Sequence, residues 1–325
     1  MKPLSIVAYF DGRLGHEKQT RAILNALSDM TSIHVESIEV SVTPAAYLKN
    51  LAAYFFSFLL PARSESKSHS VDLFIGTGTH THIPMILDKK YRSRLSGHQM
   101  RVVTCMSPDP FLRDAFDLCF IPMHDEPPPR KNVLVTQGPP SPVMFENRHK
   151  PDRGLILVGG LDTKSHVWKS EEIAAQIQII IDKNPDMLWT VSSSPRTPED
   201  TCRELENMAA SMQQLTFYRS EDTPGGWVEE QYALNGTVWV TADSISMVYE
   251  ALTAGCSVGI LQVEWLRQDN KFEKSLQFLT AKEMIVDFSV WQKGASMPTM
   301  KNKQLNESSR CAQEILRRWW TDRLQ

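Results

Sequence analysis

Short runs rich in β-branched and aromatic residues alternate with stretches of helical periodicity almost from end to end of this chain, the signature of parallel strands joined by crossover helices. The first half reads as strand Ile6–Phe10, helix His16–Leu27, strand His34–Val40 and an apolar helix Ala45–Leu60. Strands follow near Leu73–Gly76, Arg101–Cys105, Leu118–Ile121 and Val133–Thr136. The second half restarts the pattern: strand Leu155–Val158, helix Ser170–Asp182, strand Leu188–Ser192, helix Thr197–Met212 and strand Leu215–Tyr218. Strand Thr237–Thr241, helix Ser244–Ala254 and strand Ser257–Leu261 complete it. At 325 residues the chain is too long for one core, and prolines crowd the segment from Asp125 to Asp152, where they stiffen a connection. The expected fold is therefore α/β, with two Rossmann-like doubly wound domains over residues 1–145 and 146–305 that face a cleft. A C-terminal helix over 306–325, ending in Trp319 and Trp320, is expected to pack back on the first domain.

Composition removes several classes of protein. Thirty-five basic against thirty-eight acidic residues give a charge of −3, which speaks against a binder that neutralises nucleic-acid phosphates. The five cysteines are scattered and form no CxxC pair, so they read as reduced cytosolic thiols rather than metal ligands or disulfides. The N-terminal apolar run is too short for a signal peptide. Ala45–Leu60 contains Lys49 and Asn50 and falls short of the ~20 apolar residues a spanning helix needs. Two readings stand for it: a contact with a membrane surface, or a core helix on the first sheet.

Four segments carry chemistry. In AYFDGRLGHEKQT, Gly12 and Gly15 form the turn after the first strand, and Arg13, His16 and Gln19 gather at a helix entrance, where open α/β sheets bind anions. In LILVGGLDTKSHVW, Gly159 and Gly160 follow a buried strand, and Lys164 stands near enough to neutralise phosphate. In WTVSSSPRTPED, Ser192, Ser193 and Arg196 follow a strand, with Thr197 expected as N-cap and Pro198 as N1. In VWVTADSISMVYEALTAG, Asp243, Ser244 and Ser246 stand at a helix N-terminus, Glu250 lies one turn beyond Ser246, and Gly255 ends the helix. Hydroxyls and N–H groups there suit phosphates, and the carboxylate suits the vicinal hydroxyls of a ribose. Each has a plainer reading: a packing turn, a solvated lysine, a capping serine, a surface glutamate.

Together DGRLGHEKQ, SPDPFLRDAFDLCFIPMHDE, TQGPPSPV, ILVGG, SSSPRTP and TADSISMVYEALTAG resemble the mitochondrial-fission protein family, whose bacterial members are described as glycosyltransferases of outer-core oligosaccharide type. The resemblance runs from Asp11 to about Leu261. It implies the two-domain glycosyltransferase fold called GT-B, with the donor nucleotide sugar on the second domain and the acceptor on the first. It likens the Ser246–Glu250 segment to the donor-ribose helix and Gly159 and Gly160 to a diphosphate loop. Where family members carry two arginines after the serines, this chain has Ser194, Pro195 and Arg196.

The leading functional expectation is a cytoplasmic enzyme, at most peripheral to the inner membrane, that moves a sugar from a nucleoside diphosphate to a lipid-linked or oligosaccharide acceptor of the cell envelope. No DxD pair occurs, so neither a metal nor any other cofactor is expected; cations and helix N-termini would neutralise the leaving group. Donor contacts are expected from Gly159, Gly160, Lys164, Ser192, Ser193, Arg196, Asp243, Ser244, Ser246 and Glu250. Acceptor contacts are expected from Gly12, Arg13, Gly15 and Gln19. Candidates for the general base are His16, Asp109, His124 and Asp125. His16 leads, since a helix N-terminus favours its neutral, proton-accepting form. A non-enzymatic scaffold recruiting partners through its apolar helix and a sugar-nucleotide epimerase are the alternatives.

Overall fold

The computed structural model describes residues 2–57, 71–267, 270–299 and 305–324. They fall into two compact units, Met1–Pro142 with Asn306–Gln325, and Val143–Leu305.

The first unit runs β1 (Leu4–Phe10), α1 (Leu14–Met30), β2 (Ile33–Glu39), α2 (Pro44–Phe56), β3 (Leu73–Gly76), α3 (Thr79–Ser96), β4 (Arg101–Thr104), β5 (Leu118–Pro122) and β6 (Val133–Thr136). All six strands are parallel in the order β2-β1-β3-β4-β5-β6. β1 is buried almost throughout because both faces of the sheet are covered, which is why LSIVAYF reads as one apolar run rather than an alternation. Ile6, Ala8 and Phe10 point to one core and Val7 and Tyr9 to the other. On the first of these faces α1 lies beside α10 (Glu307–Trp319), whose Cys311, Ala312, Ile315 and Leu316 join the same core. The last helix thus packs on the first unit. Arg310 and Arg318 add hydrogen bonds to the Val135 and Lys131 carbonyls.

The second unit runs β7 (Lys150–Leu157), β8 (His166–Val167), α4 (Ser170–Lys183), β9 (Leu188–Ser192), α5 (Glu199–Ser211), β10 (Leu215–Tyr218), α6 (Trp227–Leu234) and β11 (Asn235–Thr241). It continues with α7 (Ile245–Thr253), β12 (Ser257–Leu261), β13 (Glu264–Trp265), α8 (Lys271–Ala281), β14 (Ile285–Asp287) and α9 (Phe288–Gln292). Its main sheet is again parallel, in the order β10-β9-β7-β11-β12-β14, and β8 pairs antiparallel with β13. Two glycines make room for the largest core side chains: a Cβ on Gly154 would meet the Trp189 ring at 2.3 Å, and one on Gly259 the Trp239 ring at 2.4 Å. Both indoles are fully buried.

Several element boundaries differ from those the sequence suggests. α1 begins at Leu14, which puts His16 inside its first turn. α5 begins at Glu199 with Pro198 as N-cap, so Thr197 is not the cap; its hydroxyl bonds the Gly159 and Val158 carbonyls instead. The helices α3 and α6 carry too little periodicity to stand out in the sequence, and α8, α9 and β14 are further elements beyond those the sequence suggests. Within the apolar stretch Ala45–Leu60 the described helix is Pro44–Phe56, capped by the Thr43 hydroxyl on the Ala46 N–H; Phe58, Leu59 and Leu60 lie outside the described residues. Only one side of it is core: Tyr47, Leu51 and Tyr54 pack on the first sheet, while Leu48, Phe55 and Phe56 are exposed.

Candidate functional site

In an open parallel sheet, chain connections leave in opposite directions at one point, and a crevice opens there beyond the carboxyl ends of the two strands. In the first unit that point lies between β1 and β3, since β2 lies on one side of β1 and the chain then crosses to the other. In the second it lies between β7 and β11. The motifs DGRLGH, VGG and TADS all fall at these two points.

At the first point Asp11 follows β1 with its side chain wholly buried. Its Oδ2 lies at hydrogen-bond distance, 2.8 Å, from His16 Nδ1, and its Oδ1 accepts the Arg13 N–H at 3.2 Å. Thus a buried carboxylate, not a bare helix N-terminus, is what the inner nitrogen of His16 meets. A quarter of the imidazole is exposed. Gly78, which follows β3 and caps α3 with φ +107, completes the group: a Cβ there would stand 2.3 Å from Asp11 Oδ2 and 2.5 Å from His16 Nδ1. Gly12 takes φ +74 in the turn, a region that suits glycine. Below, the Thr20 and Thr77 hydroxyls share a 2.9 Å bond, and the buried His82 bonds Thr104 at 3.1 Å. Burial, reinforced by His16, pushes the His82 pKa down to about 4.

The other first-unit candidates sit apart from this pair. Asp109, in the loop after β4, accepts a 3.3 Å bond from Tyr47 of α2, whose ring meets His80 edge-on. Partial burial and the Asp109 carboxylate raise the Tyr47 pKa. His124 and Asp125 form a short helical turn after β5, with Nε2 and Oδ1 4.0 Å apart. Gln19 bonds back to the Gly15 carbonyl on α1, and Gly12, Arg13 and Gly15 are exposed.

At the second point the chain itself fills the space between the strands. The Gly159 N–H donates to Thr241 Oγ1 at 2.7 Å and the Gly160 N–H to Asp243 Oδ2 at 3.2 Å. A Cβ on Gly159 would stand 2.2 Å from Asp243 Oδ2, and one on Gly160 2.1 Å from the Arg196 backbone. The paired glycines therefore admit Asp243 and the Arg196 loop, and both their amides are engaged within the unit. Asp243 Oδ2 also takes the Ser244 hydroxyl at 3.1 Å and the Arg196 guanidinium at 2.9 Å. Asp243 is nearly inaccessible while Arg196 is about half exposed. Ser192 and Ser193 are buried at the end of β9, where Ser193 Oγ accepts the Ser220 N–H. Lys164 is exposed in the loop before β8, its N–H turned onto Asp162.

α7 opens directly from this cluster. Its N-cap Ser244 makes no side-chain cap, and Ser246 is exposed in the first turn. One turn on, Glu250 is buried to 9 % exposure and accepts a 3.4 Å bond from the buried Tyr232 hydroxyl. Burial and the Glu250 charge raise the Tyr232 pKa well above its ordinary value. Ser246 and Glu250 thus line one helix stripe running from accessible to enclosed, with Arg196, Asp243 and Ser244 at its upper end. Asp11, Tyr232 and Gly78 are the participants not singled out from the sequence. Only DG before an apolar-to-helical switch hinted at the first, and nothing local at the other two.

All five cysteines are buried and unbridged. Among the described residues no group of three or more His, Cys, Asp or Glu is placed to hold a metal ion, and no helix is long and apolar enough to cross a membrane.

The family model for mitochondrial fission ELM1 matches residues 14–319. No curated protein matches. Among solved structures, the UDP-GlcNAc 2-epimerase of Methanocaldococcus jannaschii superposes with TM-score 0.53 at 14 % identity, over 97 % of this chain and 99 % of its own. The UDP-GlcNAc 2-epimerase of Neisseria meningitidis gives 0.44 at 11 % over 99 % and 93 %, and the O-GlcNAc transferase of Thermobaculum terrenum gives 0.42 at 14 % over 100 % and 64 %. The epimerase of M. jannaschii shares the plan of two Rossmann-like parallel-sheet units.

Proposed function

Because the chain belongs to the mitochondrial fission ELM1 family and carries the GT-B fold, we propose that it acts on a nucleoside-diphosphate sugar, transferring the sugar to a hydroxyl of a glycan or lipid-linked acceptor. The observation that carries this reading is the α7 stripe. The exposed Ser246 hydroxyl at a helix N-terminus suits a diphosphate, with half-exposed Arg196 beside it. Glu250, held by Tyr232, suits the ribose hydroxyls one turn deeper. Gly159 and Gly160 act as the floor under Asp243 rather than as phosphate ligands. Transfer breaks the bond from the anomeric carbon to the diphosphate and forms one to the acceptor oxygen. The diphosphate leaves with its charge met by Arg196, Lys164 and the helix N-terminus, and a general base takes the acceptor proton, the role for which His16 is the candidate. Of the four candidate bases, His16 has a partially exposed ring whose inner nitrogen is already engaged by a buried carboxylate.

The exposed aromatic face of α2, where Phe55 stacks on Phe111 with centroids 6.0 Å apart, suits a lipid-linked acceptor at a membrane surface. Epimerisation is the second reading, supported by the 0.53 superposition with an epimerase. Isothermal titration with a panel of nucleoside-diphosphate sugars tests the common element: at least one should bind, with the unsugared diphosphate as competitor. Incubation with the bound sugar alone then separates the two, because an epimerase converts it without an acceptor. Failure of every nucleotide sugar to bind overturns both.

A further inference from the structure

We infer that Asp11 is the positioning residue that fixes which nitrogen of His16 carries the proton, and that Gly78 exists to let the two meet. The inference deepens the assignment of His16 as the base and rests on it for its purpose, though not for its test. A neutral imidazole has one N–H and one lone pair, and the partner of one nitrogen decides the state of the other. Asp11 Oδ2 lies 2.8 Å from Nδ1, and a carboxylate oxygen offers only lone pairs to such a contact. Nδ1 must therefore hold the proton, and the lone pair is left on Nε2 of a ring that is a quarter exposed.

The geometry around this bond is built rather than incidental. The Asp11 side chain is fully buried, and its second oxygen is pinned by the Arg13 N–H, so the carboxylate cannot rotate away without losing that bond. Gly78 closes the other side: any Cβ at this position would lie inside contact distance of both partners, and its φ of +107 is itself unfavourable for a side chain. A chain segment that arrives from β3 with no side chain, against an acid from β1 and a histidine from α1, brings three separate elements to one hydrogen bond. A histidine serving only to fill a helix turn needs none of this.

Asp11→Asn gives the sharpest test, because it keeps the shape and inverts the chemistry. The amide oxygen can still accept the Arg13 N–H, which leaves the amide NH₂ facing His16 Nδ1. That nitrogen must then accept, and the proton moves to Nε2. Nitrogen-15 NMR of histidine-labelled protein at about pH 8.5, above the ordinary histidine range, should show His16 as the Nδ1–H form in the wild type and the Nε2–H form in Asp11→Asn. Carbethoxylation of His16, followed by peptide mass spectrometry, needs the lone pair on the accessible nitrogen and should slow ~10-fold or more in the variant. Gly78→Ala, with Asp11 intact, should lose the single-tautomer signal. A wild type in the Nε2–H form, or an unchanged tautomer in both variants, overturns the inference. Both readouts need no substrate. If they behave as expected while no nucleotide sugar binds, the functional reading fails and the role of Asp11 stands.

Discussion

Replacing Gly160 by alanine tests whether the paired glycines serve the chain's own packing. The added Cβ would stand 2.1 Å from both the carbonyl carbon and oxygen of Arg196 and 2.4 Å from the Thr197 nitrogen. These are backbone atoms, so no rotamer change relieves the clash. Reaching ordinary contact requires the two loops to part by roughly 1 Å or more, against the Leu161 N–H to Arg196 carbonyl bond of 2.9 Å and the Arg196 to Asp243 ion pair of 2.9 Å. Overpacking of this kind costs ~1–3 kcal/mol and each weakened hydrogen bond ~1 kcal/mol, giving ~3–5 kcal/mol in all. Six of the eight tryptophans, at 168, 189, 227, 239, 265 and 291, belong to the second unit, so tryptophan fluorescence in urea reports mainly its unfolding. With a slope of roughly 2–3 kcal/mol per molar, the midpoint should fall by ~1.5 M. Gly225→Ala is the control, since nothing lies within 4 Å of its added Cβ, and it should stay within ~0.5 kcal/mol of wild type. A Gly160→Ala midpoint equal to that of wild type would refute the packing argument and return Gly160 to the list of ligand-facing residues.

Three further outcomes are expected. Since burial holds the folded-state pKa of His82 near 4 while the unfolded chain titrates near 6.5, the stability tied to its neutral form is complete above pH 6.5. That stability is lost as the pH falls toward 4, by roughly 3 kcal/mol. Hydrogen exchange of the β1 amides should record the loss, and His82→Gln should flatten it. Glu250→Ala should weaken nucleotide-sugar affinity by ~1.5–3 kcal/mol in calorimetric titration, with little change in the unfolding midpoint, because Tyr232 keeps its bond to the Met247 carbonyl. Phe56→Asp, at a residue 55 % exposed, should leave stability within ~0.5 kcal/mol and reduce flotation with phosphatidylglycerol vesicles; unfolding instead would mark α2 as a core helix.

The fold was legible where burial on both faces of a parallel sheet leaves apolar runs, as in β1 and the carboxyl-terminal ends of β7 and β11, and where glycine punctuates the passage to a helix. α3 was not, because its first turns read THTHIP and carry Pro84, residues that argue against a helix when seen alone. α2 was only half legible, for an apolar segment does not reveal which of its faces another element covers. The site shows the same division at finer grain. A sequence can mark that a side chain is excluded at a position, but not what excludes it. Gly159 and Gly160 looked like space for a ligand, and the space is taken by Asp243 and the Arg196 loop, which reach them from later strands. Gly78 drew no notice, yet it faces Asp11 and His16. In both places the meaning of a glycine is set by the strand next to it in the sheet rather than by its neighbours in the chain. The switch points, where β1 meets β3 and β7 meets β11, are thus where strand order says most about chemistry and local sequence least.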